Sequence, residues 1–299
     1  PRTSQGKFVT EASKVFQEGD DFWHAGRYDE ARTAYEKAAG LYHQNDDLEG
    51  EAFVLSRLGE LELSLDDYQE AEHALLSATE LVRDADYAQN TYGDALIKLS
   101  KLETARGHLL KARQYLKTAR EVLAAIGNHD LSGDAYDHEA YIALMENRDA
   151  DALAAYKKAA ELFREDGISL KEASTLRAIA RIQMKNKEYD EAHDVLERCR
   201  DLYRENGDLL GEASALSAIG CLRYIIRDIA NARKALMKSV YLYGKVSHHY
   251  AEAESLLYLA RVEAFDKSRG DFERAKAHYK RSIELFDFMG NETMKSAGG

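Results

Sequence analysis

The chain has 299 residues, 45% of them hydrophobic and 31% charged, with 41 basic against 53 acidic side chains and a net charge of −12. That balance excludes a disordered chain and argues against a general binder of nucleic acid or anionic membrane, which the field would repel. A single proline in 299 residues, against a usual share of roughly 5%, points to a chain that is helical nearly throughout, because proline interrupts helix interiors.

No apolar run approaches the roughly 18 residues of a membrane span, and no charged-then-apolar signal opens the chain. PRTSQGK at the start and SAGG at the end read as fragment edges, which leaves room for a flanking domain. Cys199 and Cys221 match no CxxC or metal spacing and fit a reduced, cytoplasmic setting.

In chain order, one motif recurs. The alanine of YDEA, Ala31, has equivalents at Ala71, Ala112, Ala152, Ala192, Ala232 and Ala275, a period of about 40 residues. Four residues after each anchor stand Tyr35, Leu75, Leu116, Tyr156, Leu196, Leu236 and Tyr279, all large. Seven after stand Ala38, Ala78, Ala119, Ala159, Cys199, Ser239 and Ser282, all small, and ten after comes Leu or Val. With the mostly apolar position three before the anchor, these offsets trace a single helical stripe. A second helix precedes each of these, marked by an acid-alanine step such as GEA 50–52, KEA 171–173 or GEA 211–213. It carries a small residue at Gly19, Gly59, Ser100, Ala140, Ala180, Gly220 and Ala260. Glycine inside a helix costs about 1 kcal/mol relative to alanine, so close packing is the expected reason for it. Breakers are expected between pairs at Gly127-Asn128, Gly167, Gly207-Asp208 and Gly290-Asn291, with a longer turn over 266–270 in the seventh pair.

Seven helix pairs that cannot bury their stripes alone imply an all-α, quasi-linear solenoid. One array over 8–290 is expected, with repeats at about 8–46, 47–86, 87–128, 129–167, 168–207, 208–247 and 248–290. Residues 1–7 and 291–299 are expected to be flexible termini or fragment edges.

A small residue, then Tyr-Asp-Glu-Ala, then large, small and leucine, as in Gly19, Tyr28–Ala31, Tyr35 and Ala38, resembles the tetratricopeptide repeat (TPR) over nearly the whole chain. These repeats are longer than the common 34 residues and lack the closing proline. Such long repeats are similar to those of kinesin light chains, spindle-orientation adaptors, the sensor arms of STAND ATPases and bacterial peptide-pheromone receptors. The inner stretches STLRAIA 174–180 and SALSAIG 214–220 lack the asparagines that the first two commonly carry.

The resemblance implies a right-handed superhelix whose first helices line a concave, partner-binding groove. Carried onto this chain, the groove takes in Phe16 and Trp23, then Lys101, Tyr141, Arg177, Arg181, Met184, Tyr224 and Arg261, alongside Asp20, Phe53, Ser214 and Cys221. Its first four repeats lean acidic and its last three contribute arginines, whose planar forks suit carboxylates or phosphates. An acidic, partly apolar peptide or helix is the expected ligand. The alternative is that these arginines pair with Asp134, Asp137, Glu254 and other acids of neighbouring repeats. Trp23, the single tryptophan, is either an exposed anchor or an end cap, and Cys221 is expected to pack rather than react.

No phosphate-binding, nucleophile or metalloprotease motif occurs, and His248-His249 point about 100° apart on a helix, poor geometry for a metal. The expectation is therefore a non-enzymatic scaffold or adaptor without cofactor or metal, binding protein or peptide rather than nucleic acid or membrane. A ligand-sensing regulatory arm of a larger signalling protein and a self-associating structural array are the two other readings.

Overall fold

The computed structural model describes residues 4–265 and 269–297. In its first half run α1 (Ser4–His24), α2 (Tyr28–His43), α3 (Leu48–Ser64), α4 (Tyr68–Val82), α5 (Gln89–Ala105), α6 (Leu109–Ala125) and α7 (His129–Met145). There follow α8 (Asp149–Glu165), α9 (Ser169–Lys185), α10 (Tyr189–Glu205), α11 (Leu209–Ile225), α12 (Ile229–Lys245), α13 (His249–Phe265) and α14 (Arg269–Ala297). Among the described residues there is no strand. The chain divides into two compact units, Pro1–Leu162 and Phe163–Gly299. In the first, α1 packs on α2, α3 on α4 and α5 on α6; in the second, α9 packs on α10, α11 on α12 and α13 on α14. Within each unit the pairs stack in succession, and first helices touch one another, α3 with α5 and α5 with α7, α9 with α11 and α11 with α13.

The 40-residue period resolves into two near-identical halves. From α9 to α12 each helix of 17 residues is followed by three turn residues, as in α9, α10 and α11. In every described break except that between α4 and α5, one turn residue adopts a left-handed backbone: Gly26, Asp46, Asp66, Gly107, Gly127, Asn147, Gly167, Lys187, Gly207, Arg227 and Ser247. The next amide reaches back five residues to close the helix, as Asp67 N–H to Glu62 C=O (2.9 Å) and Asp208 N–H to Tyr203 C=O (2.9 Å). This satisfies carbonyls that the helix end leaves without partners. Breaks therefore fall inside the pairs as well as between them, where the sequence had signalled only some, because Asp66, Lys187 and Arg227 occupy a conformation usually announced by glycine. The following Asp or Asn then caps the next helix, Asp47 accepting from Gly50 N–H (2.9 Å) and Asp208 from Gly211 N–H (2.8 Å). One junction differs: after α4 a short 3₁₀ turn, Asp86–Ala88, leads into α5, which accounts for the 41-residue spacing there.

The recurring positions have physical reasons. Anchor alanines and the small residues seven later are fully buried, or nearly so, in all seven repeats. In the last three repeats the small residue also donates to the carbonyl of the acid-alanine step. Cys199 Sγ bonds Ala173 O (3.2 Å), Ser239 Oγ bonds Ala213 O (2.8 Å) and Ser282 Oγ bonds Ala253 O (2.9 Å). The acid of that step is buried, Glu212 pairing with Lys238 (2.6 Å) and Glu172 with Arg198 (3.4 Å). A further core row lies one residue beyond the sequence stripe, at Val82, Leu123, Phe163, Tyr203 and Tyr243. Successive repeats are also tied by buried carboxylates: Arg32 grips Glu62 with two bonds of 2.5 and 2.6 Å, and Arg233 meets Glu263 at 3.0 Å.

Both ends depart from expectation. Helix α1 begins at Ser4, and α14 runs to Ala297 through Gly290 and Asn291 without a break. The longer turn expected over 266–270 falls largely on residues outside the described ones, and Gly270 already lies in α14. Tyr279 is 38% exposed, whereas its counterparts in the other six repeats are at most 5% exposed; α14 is the last helix described, and no further helix covers this face.

Candidate interaction grooves

In the N-terminal unit the first helices enclose a cavity of about 530 Å³ that reaches from Phe16 and Asp20 through Phe53 and Arg57 to Lys98 and Lys101. Its charges are wired to each other. Asp20 accepts from Tyr35 Oη (2.5 Å) and Arg57 (3.0 Å); Arg57 also meets Glu60 (2.9 Å). Glu60 reaches Lys98 (3.1 Å), and Lys98 bonds Asp94 (2.7 Å) and Ser56 (3.1 Å). Burial and Asp20 together raise the Tyr35 pKa, so the phenol stays protonated as donor. Phe16 stacks obliquely between Tyr35 (5.7 Å) and Phe53 (5.3 Å). Trp23 is half-buried, with Tyr35 edge-on at 6.4 Å and the Arg57 guanidinium 4.8 Å over its ring.

Lys101 and Tyr141 meet around His138. Tyr141 is exposed and stacks on that imidazole at 5.9 Å. The Thr104 hydroxyl donates to Ser100 C=O (2.8 Å) and lies 3.2 Å from His138 Nε2, so its free lone pair takes the Nε2 proton. Burial first, then the Lys101 charge, lowers the His138 pKa to about 4.

The C-terminal unit presents a different surface. Arg177, Arg181 and Met184 of α9, with Ser214 and Ala218 of α11, line a cavity of about 350 Å³ floored by Leu196. Arg177 Nη1 donates to Ser214 Oγ (3.2 Å), and the Tyr203 pKa is raised chiefly by burial, against the opposing pull of Arg177. Burial likewise raises the Tyr243 pKa in the next helix pair. No carboxylate lies within ion-pair distance of Arg177, Arg181 or Arg261 among the described residues. Within the C-terminal unit, Glu254 is not an ion-pair partner of these arginines. Arg261 instead lies 5.2 Å over the Tyr258 ring. Met184 and Tyr224 are half-buried against the helix-pair cores, and Tyr224 meets Phe265 edge-on at 6.4 Å. Burial pushes the Cys221 thiol up to about 12, against the opposing pull of Arg261, and Cys199 likewise to about 12, so both stay thiols at neutral pH. His248 accepts from Ala251 N–H (3.3 Å) at the start of α13, and His249 packs edge-on against Phe288 at 5.5 Å.

The structure thus gathers Arg177, Arg181 and Met184 into one cavity and Phe16 with Lys101 into another. Arg57, Lys98, Tyr203 and Tyr243 went unnoticed in the sequence. The tyrosines had a signal, a large residue eleven after every anchor, whereas Lys98 has none beyond its helix register. Charge also differs between the units: residues 1–162 hold 18 basic and 31 acidic side chains, residues 163–299 hold 23 and 22.

Compared with known families, the sequence matches the tetratricopeptide-repeat model over residues 12–84 and the model of soluble NSF attachment protein over residues 69–209. The fold is a tetratricopeptide-repeat solenoid, and residues 12–84 match that repeat's own model. Among solved structures the array is similar to a STAND protein with a tetratricopeptide-repeat sensor from Pyrococcus horikoshii, with a TM-score of 0.74 and 18% identity over 93% of this chain and 43% of that one. The array therefore spans less than half of that protein's length. It is similar also to apo RapI (TM-score 0.74, 14% identity, 92% of this chain and 76% of that one). A third is the quorum sensor NprR of B. thuringiensis (TM-score 0.62, 16% identity, 92% and 76%). At these identities the likeness is one of fold. Comparison with curated proteins finds no sequence match. No helix among the described residues is long and apolar enough to cross a membrane.

Proposed function

We propose that this repeat array is a non-enzymatic interaction module that captures an acidic, partly apolar peptide or partner helix on the first helices of its C-terminal unit. The observation that carries this reading is the contrast between the two grooves. Arg57 and Lys98 of the N-terminal unit are engaged by Asp20, Glu60 and Asp94, while Arg177 and Arg181 line an open cavity with no acid beside them. Leaving two guanidinium groups unpaired keeps them available for a ligand carboxylate, which they can hold bidentately. Met184, and further along α11 Tyr224, supply apolar contact, with Arg261 extending the basic row. Phe16, Trp23, Lys101 and Tyr141 would form a separate, aromatic-rich contact surface on the N-terminal unit.

A second reading follows from the similarity to a STAND sensor and a quorum sensor: the array serves as the ligand-sensing arm of a longer signalling protein. Both readings place the ligand in the same groove. The test is Arg181→Glu, alone and with Arg177→Glu, assayed against a partner purified on the wild-type chain. A loss of roughly tenfold or more in affinity is expected, steeper at low salt. Unchanged affinity in the double variant refutes the groove assignment.

A further inference from the structure

The other side of α11 carries a second cavity. Arg200 and Arg204 of α10, Arg223 of α11, and Lys234 and Lys238 of α12, with Glu197 as the one acid, surround about 470 Å³ over an apolar floor of Leu216 and Ile219. Residues 214 and 218 face the groove described above, whereas 216, 219 and 223 lie about half a turn round the helix, so the two cavities open on opposite faces of the C-terminal unit.

Lys238 is tied to buried Glu212, but Arg204 and Lys234 hold no buried acid. The equivalent gap between α2 and α4 in the N-terminal unit is a cavity of about 560 Å³ lined by Glu36, Glu62, Asp67 and Glu70 with Arg32 and His73. Glu62 stands where Arg223 stands, Glu70 where Asn231 does, and His73 where Lys234 does. Glu36 and Asp67 keep acidic counterparts in Glu197 and Asp228, so the two cavities differ at the other positions, where acid or histidine gives way to Arg223, Asn231 and Lys234. The local acids do not cancel the basic side fully: Arg200 pairs with Glu197 and with Asp201 (2.7 Å), which Arg204 also meets at 3.0 Å. Lys238 holds Glu212 (2.6 Å) and Arg223 holds Asp228 (3.3 Å), while Lys234 has no ion-pair partner among the described residues. Beside them on α12, one and two turns apart, Met237 and Tyr241 are 55% and 59% exposed, and Lys245 lies 4.9 Å over the Tyr241 ring. Large apolar side chains flanked by lysines make a surface suited to a ligand with both carboxylates and an apolar group.

We propose that this face of repeats five and six is a second docking surface, taking an acidic protein segment with an apolar side chain seated between Met237, Tyr241 and the cavity floor. Its ligand is a short segment rather than an anionic membrane or a nucleic acid. An extended polyanion meets the field of the whole chain, net −12, whereas a short segment feels charges within a Debye length of about 8–10 Å.

The probe is a fluorescein-labelled synthetic peptide of Asp-Glu-Leu repeats, titrated into the full chain by fluorescence anisotropy. Anionic phosphatidylserine vesicles and a single-stranded oligothymidylate serve as comparators. Arg204→Glu with Lys234→Glu removes exposed cations that hold no buried acid, so the fold persists, which circular dichroism checks. Affinity for the peptide is expected to drop roughly tenfold or more in that variant, to recover in Arg204→Lys with Lys234→Arg, and to weaken in Met237→Ser with Tyr241→Ser. Binding that is lost in Arg177→Glu with Arg181→Glu but unchanged in Arg204→Glu with Lys234→Glu overturns this surface and leaves the first groove standing. Loss in both double variants supports two sites, and no saturable peptide binding at all overturns this one. Equal or tighter binding to vesicles or oligothymidylate, abolished by the same substitutions, overturns the choice of a protein segment.

Discussion

Replacing Gly220 by alanine tests whether the small position of the first helix exists for close packing. A Cβ built there would lie 2.5 Å from Leu236 Cγ, 2.9 Å from its Cδ2 and 3.3 Å from its backbone nitrogen. Leu236 is fully buried, and the nearest atom is its branch carbon, so no flexible tip can swing aside. The clash costs about 1–3 kcal/mol as overpacking, while alanine gains up to about 1 kcal/mol of helix propensity. Gly40, inside α2, provides the comparison, since nothing lies within 4 Å of its added Cβ. There the propensity gain stands alone and Gly40→Ala should stabilise by about 0.5–1 kcal/mol. The propensity contribution is common to both, so the two variants should differ by about 1–3 kcal/mol. Urea titration followed by helical circular dichroism reads this as a separation of midpoints of about 0.3–1 M, with slopes unchanged. If Gly220→Ala unfolds at the same urea concentration as Gly40→Ala or above it, the assignment of close approach at this position is wrong.

Lys187 holds a left-handed backbone at φ 65°, a conformation that suits glycine. Lys187→Gly should therefore stabilise by about 0.5–1 kcal/mol, whereas the same change at exposed Lys185 inside α9 should destabilise; thermal midpoints of the two distinguish them. His138 has a folded pKa of about 4 against an unfolded value of about 6.5, so as the pH falls the unfolded chain takes up the proton first. Its contribution is complete above pH 6.5 and is lost on acidification, by about 1.5 kcal/mol at pH 5.5 and about 3 kcal/mol at pH 4. In His138→Gln, which can still donate to Thr104, that part of the pH dependence of unfolding should disappear; an unchanged slope between pH 6.5 and 4 would refute the buried, neutral imidazole.

The helix pairs were readable because burial in this fold repeats. Ala31, Ala71 and Ala112 are each fully buried for the same reason, and seven copies of one constraint leave a period that no single helix could. Turns were harder to see. Gly127 and Gly207 announce a left-handed residue, but Asp66, Lys187 and Arg227 take the same conformation without any compositional sign. There the helix-closing bonds and the apolar stripe on either side impose a backbone that local preference does not favour. The end of α14 shows the converse, since Gly290 and Asn291 favour a stop and the helix runs through them.

Groove residues were located by register and their roles were not. Register says that Trp23, Arg177 and Tyr224 share a face of the first helix, because that follows from spacing alone. Whether a charge is spent or available depends on partners some 26 to 40 residues away, and neighbouring repeats with the same apolar pattern give opposite answers. Arg57 reaches Asp20 from one repeat to the previous one, while Arg177 reaches only a hydroxyl group, that of Ser214. A solenoid allows this because its stability rests on the alanine and leucine positions, repeated and interchangeable, which leaves the polar positions of each repeat free to differ. In this array those polar positions close the groove's charges on themselves in the first unit. In the second they leave guanidinium groups open on one face of α11 and a basic, apolar-edged cleft on the other. Function should therefore follow the places where the repeats disagree, and Arg177, Arg181, Arg204 and Lys234 are the side chains through which that disagreement can be measured.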